Sequence, residues 1–194
     1  MQYNKYRADS GVSKSRGGPL FAWNVMTSRE ADMSKDAGYV KVGFPLEEGP
    51  VGSEGIWCAP EGEDRYAVAN IPAFVYDVSI DDVIIATENA DALLTFRGVY
   101  EKRGHATLRI FFEPESCGEG ERVSVLDGIP LKRGSEYGTE RFGPIQCIDL
   151  HPGALDSYRK VLDYLEAYER RAILAVEEGD RDCVPLDQLR KHHG

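Results

Sequence analysis

No run of about 18 apolar residues occurs in this 194-residue chain, so no membrane-spanning helix is expected. The opening residues, Met1-Gln-Tyr-Asn-Lys-Tyr-Arg7, lack the apolar core of a secretion signal, and a cytoplasmic protein is the expectation. No Cys-x-x-Cys pair links Cys58, Cys117, Cys147 and Cys183, which argues against structural zinc and for reduced thiols. Gly52-Ser-Glu-Gly55 has the wrong spacing for a nucleophile elbow, and no His-Glu-x-x-His occurs. Asp77, Asp81 and Asp82 cluster without calcium-loop spacing and read as turn residues at a strand entry. Gly118-Glu-Gly120 lacks a third glycine, and Glu113, Glu115, Glu119 and Glu121 around it would repel phosphate. No metal and no cofactor is expected on these grounds.

Positive charge is also scarce. The chain holds 23 Lys/Arg against 33 Asp/Glu, a formal net charge of −10. Residues 1–38 carry six Lys/Arg and four Asp/Glu; the remainder carries 17 and 29. A body this acidic repels phosphate backbones, so no nucleic-acid partner is expected. It attracts a basic protein and speeds the encounter with it. The competing reading is that acidic surface only maintains solubility.

The arm, residues 1–37, is poor in core-forming residues, and Ser13-Lys-Ser-Arg-Gly-Gly-Pro19 reads as a linker. Its apolar island, Leu20 to Met26, either docks on the body or orders only in a complex. A β-rich half follows, 38–103. Short β-branched and aromatic runs at 39–44, 54–59, 65–69, 82–86 and 93–102 alternate with Gly, Pro and Asp turns. They suggest a small antiparallel barrel or curled sheet. The α/β half, 104–177, reads as strand 107–112, helix 120–128, loop 132–144, strand 145–150, helix 154–171 and strand 173–176. Leu155, Tyr158, Val161, Leu165 and Tyr168 give the second helix its apolar stripe, and Pro152 sits at its start. This strand–helix–strand–helix–strand order suggests a ferredoxin-like half, so the fold class is α+β. Residues 178–194 read as a frayed tail.

Chemistry concentrates between 54 and 109. His105, Thr107 and Arg109 would share one strand face. Together with Glu54 they could bind an anion or act in acid–base catalysis. Alternatively they form a structural network, with Arg109 on a carboxylate and His105 on a turn carbonyl. Asn70, before Ile71-Pro72, reads as a cap for its own loop. Cys58 would be a nucleophile only if His105 approached it.

Glu54-x-x-Trp57, Asn70-Ile-Pro72, Asp82-Val83 and Gly104-His-Ala-Thr-Leu-Arg109 resemble landmarks of a bacterial family of uncharacterised proteins, the domain of unknown function numbered 4265. The resemblance covers roughly residues 39–176, and the Gly104–Arg109 run is its strongest part. It implies a bacterial cytosolic protein and brings no catalytic residues.

Three functional readings follow. The first is an acidic immunity- or antitoxin-like protein that occludes a basic toxin domain. Its contact residues would be Glu47, Glu48, Glu61, Glu63, Asp64, Glu115, Glu119 and Glu121. The second is a small hydrolase or transferase using His105, Arg109 and Glu54. The third is an oligomeric adaptor, a homodimer in which the 20–26 island packs on a second copy.

Overall fold

The computed structural model describes residues 38–46 and 52–180. The arm with its island, Glu47 and Glu48, and residues 181–194 with Cys183 lie outside them.

The first half is a five-stranded ring of β1 (Val40–Pro45), β2 (Ser53–Pro60), β3 (Arg65–Val68), β4 (Val83–Glu88) and β5 (Leu94–Glu101). Neighbours pair antiparallel in chain order, and β5 closes on β1 in parallel at Thr95 and Gly43. Alternation along each strand sends Val42, Phe44, Ile56, Cys58, Val68, Ile84 and Ala86 inward, where they form one core. Register shifts in the β4–β5 pair, at Val83/Ile84 and Ile85/Ala86, add the twist a curled sheet needs.

The second half comprises β6 (Ala106–Phe112), α1 (Glu119–Asp127), β7 (Tyr137–Phe142), β8 (Ile145–Leu150), α2 (Leu155–Glu169) and β9 (Leu174–Asp180). The sheet order is β7-β8-β6-β9, all antiparallel. That is the βαββαβ arrangement of a ferredoxin-like unit. Two sequence expectations are corrected. The 132–144 segment is not all loop, because β7 adds a fourth strand at the sheet edge. Residues 178–180 are not frayed, because β9 runs to Asp180.

One face of this sheet carries Ala106, Leu108, Ile110, Phe112, Ile148 and Leu150, packed against Val125, Tyr158, Val161 and Leu165 of the helices. The opposite face carries Thr107 and Arg109 from β6, Asp149 and Cys147 from β8, and Glu140 from β7 in register. Residues 69–82, which join β3 to β4, cover that polar face as an irregular strap. Ile71 and Ala73 of the strap pack on Ile145 and Cys147, while Val75 and Val78 join the ring core. The strap is therefore buried from both sides. A buried segment without regular structure cannot satisfy its own backbone groups, so side chains must.

Candidate functional site

Those side chains are the polar residues singled out from the sequence. Glu54 lies opposite Phe44 in the β1–β2 register, so it points to the inside of the ring. Its carboxylate accepts the amides of Ala73 at 2.7 Å, Phe74 at 2.8 Å and Val75 at 3.0 Å. Burial pushes the Glu54 pKa up, against the pull of those three amides. Arg109, only 1% exposed, donates from Nη2 to the Val75 carbonyl and from Nη1 to Glu177 at 2.6 Å. Its guanidinium lies 4.5 Å from the Tyr76 ring centroid. Glu54 and Arg109 thus hold the N–H and the C=O of the same strap residue.

The rest of the strap is held in the same way. The Trp57 amide donates to Asn70 Oδ1 at 2.7 Å, while Asn70 Nδ2 donates to the Ile71 carbonyl at 3.4 Å, so Asn70 ties the strap to β2 as well as capping its own loop. The Ile71 amide donates to Glu140 at 3.2 Å. Ser79 and Thr107 share a hydroxyl–hydroxyl bond of 2.9 Å. Asp82 accepts the amides of Ser79 and Arg103, and it is a buried ion-pair partner of Lys102 rather than a plain turn residue. Lys102 also donates to the Asp77 carbonyl and to Asp180 of β9.

His105 belongs to a different environment. Gly104, at φ +83°, turns the chain so that His105 faces β8. Its Nδ1 lies 2.9 and 3.0 Å from the two oxygens of Asp149. Its Nε2 lies 3.4 Å from Asp81 at the end of the strap. His151 approaches from just beyond β8, with Nε2 3.5 Å from Asp149 and Nδ1 3.1 Å from the Ser135 carbonyl oxygen. The two imidazole centroids are 5.5 Å apart. These groups line a half-open cleft of about 530 Å³, walled also by Tyr39, Ile80 and Pro152. Burial pushes the His105 pKa down, but the Asp149 hydrogen bond and the charges of Asp149, Asp81 and Asp82 outweigh it, and the net direction is up. Burial raises Asp149, and His105 pulls it back.

The three candidate catalytic residues do not meet at one point. Along an extended chain, His105 and Arg109 stand about 13 Å apart. Arg109 and Glu54 are consumed by the strap. Cys58 lies inside the ring, where burial pushes its thiol up to about 12, so it is no thiolate nucleophile. Cys147, beneath the strap, is likewise pushed up to about 12. Among the described residues no group of three or more His, Cys, Asp or Glu is arranged to hold a metal ion, and no helix is long and apolar enough to cross a membrane.

The described acidic candidates lie in two places. Glu61, Glu63 and Asp64 form the exposed β2–β3 turn, where Glu61 is bonded to Arg103 at 2.7 and 2.9 Å. Glu115, Glu119 and Glu121 follow the end of β6, with Glu119 near Arg122 and Arg141, and Glu121 near Arg171. Because Arg103 precedes β6, the two groups flank a seven-residue strand about 20 Å long.

The sequence reading missed Glu140, Asp149, His151 and Asp180. Asp149 carries a readable signal: a carboxylate inside the largely apolar run Ile145–Leu150 needs a buried partner.

A family model described as a domain of unknown function, DUF4265, matches residues 54–175. A crystal structure of a hypothetical protein from Neisseria gonorrhoeae shares 15% identity, covering 74% of this chain and 94% of that one with a TM-score of 0.57. At that identity the likeness is one of fold. No curated protein matches the chain.

Proposed function

We propose that this chain, which belongs to the DUF4265 family, is an acidic cytoplasmic binding protein that occludes a basic protein partner, in the manner of an immunity or antitoxin protein. The observation that carries this reading is the fate of Glu54 and Arg109. Both are buried and bonded to the strap, which removes the polar groups a catalytic reading relies on. Beyond residue 38 the sequence carries 17 Lys/Arg against 29 Asp/Glu, a net negative body. The acidic turn at 61–64 and the acidic segment at 115–121 are far enough apart to favour a folded partner over a short peptide. An interface of standard size, roughly 800 Å² per side, spans such a distance.

The test is co-expression with the product of the neighbouring reading frame, followed by gel filtration and calorimetry. The expected result is a complex that weakens at least about tenfold as salt rises from about 0.05 to 0.5 M. Charge reversal at exposed Glu63, Asp64 and Glu115 to Lys abolishes it without lowering the melting temperature. No complex at low salt, or one indifferent to both salt and charge reversal, contradicts the reading. The alternative, a hydrolase or transferase, retains one foothold: His105, oriented by Asp149 with Nε2 toward the cleft.

A further inference from the structure

The cleft has a feature that neither binding nor catalysis explains. A neutral imidazole carries one N–H donor and one lone pair. Here both nitrogens of both histidines face acceptors. His105 faces Asp149 through Nδ1 and Asp81 through Nε2. His151 faces the Ser135 carbonyl through Nδ1 and Asp149 through Nε2. The doubly protonated form of each ring presents an N–H to both of its acceptors, the Nε2 contacts being ion-pair distances of 3.4 and 3.5 Å. With either ring neutral, one nitrogen turns a lone pair toward an oxygen.

The four contacts join three separate segments. Asp81 ends the strap, Ser135 lies in the α1–β7 connection, and Asp149 belongs to the central part of the sheet. We propose that His105 and His151 form a proton-operated latch on the cleft: protonated, they fasten the end of the strap and the 132–136 loop to Asp149; deprotonated, they release both and the cleft widens. The groups facing the latch are Asp149 from β8, Asp81 and Asp82 from the strap, and each histidine to the other. Lys102 and Arg103 stand just before His105 in the chain; Lys102 is taken by Asp82 and Asp180, Arg103 by Glu61. Tyr39 and Tyr137 contribute to the cleft wall, and burial raises the Tyr137 pKa. The raised direction of His105 agrees with the geometry.

The test uses the full chain in two measurements. Nitrogen-detected NMR of the imidazoles reports each ring's protonation directly. Amide hydrogen exchange, corrected for intrinsic rates, reports the latch between pH 5.5 and 8.5. The informative amides are Asp81, bonded to Val68, and His151, bonded to Glu136. Their protection is expected to fall about tenfold per pH unit for each proton released. The amides of Phe74 and Val75 report the accompanying change in global stability, against which the latch is read. His105→Gln flattens the pH dependence. Protection at Asp81 and His151 that is independent of pH, or rings that are neutral at pH 6 with all four contacts intact, overturns the proposal. The NMR measurement on the unaltered protein decides the matter even if the variant does not fold.

Discussion

Arg109 and Gly179 face each other across β6 and β9 so closely that a Cβ on residue 179 would stand 2.9 Å from Nη2 and 3.0 Å from Cζ of the guanidinium. The guanidinium is pinned by Val75, Glu177 and the Tyr76 ring, so it cannot retreat freely. Gly179 also accepts the Asp77 amide at 2.9 Å. Gly179→Ala is expected to destabilise the fold by about 1–3 kcal/mol through overpacking. Urea denaturation measures it, and an unchanged midpoint contradicts it.

Glu54 and Arg109 act on one strap residue, so their effects should not add. Glu54→Gln places an NH₂ against backbone donors and strands at least one amide, at about 1–3 kcal/mol. The double variant with Arg109→Met should show a coupling energy of about 0.5–3 kcal/mol. Additivity within experimental error would mean that the two side chains do not share the strap.

His105 gives stability a definite pH dependence. A histidine whose folded pKa lies above its unfolded value contributes fully below the unfolded value, about 6.5. That contribution is lost as pH rises through the higher folded value. The urea midpoint should therefore fall as pH rises above about 6.5, and His105→Gln should remove that fall. A midpoint that rises over the same range would reverse the assigned sign.

Cys58 and Cys147 should be inert in the native protein. Both thiols are fully buried and pushed up to about 12. In a background with Cys117 and Cys183 changed to Ser, labelling by a thiol reagent at pH 8 should proceed only through unfolding. Rapid labelling of Cys58 would reinstate it as a candidate nucleophile.

The ring strands were legible because one side of each faces a core and the other faces away, which writes period two into the sequence. β6 keeps that period only in part. Ala106, Leu108, Ile110 and Phe112 face the helices, while Thr107 and Arg109 face the strap, so the strand reads as amphipathic though both faces are buried. β7 was missed because Tyr137-Gly-Thr-Glu-Arg-Phe142 has no apolar alternation. Its buried Glu140 answers the amide of Ile71, 69 residues away, and no local pattern encodes such a partner. The same limit applies to His105. Its place at the entry to a strand is readable, but its partners Asp149 and Asp81 come from β8 and the strap, which only the folded topology brings together.

The polar residues around the strap fix it as part of the core. The most direct test is native-state hydrogen exchange at the amides of Ala73, Phe74 and Val75, which donate to Glu54. The expected result is exchange only through global unfolding, with an opening free energy equal to that from urea denaturation. Exchange of these amides by a low-energy local opening would show a mobile segment over an accessible polar face, and would return Glu54 and Arg109 to the list of catalytic candidates.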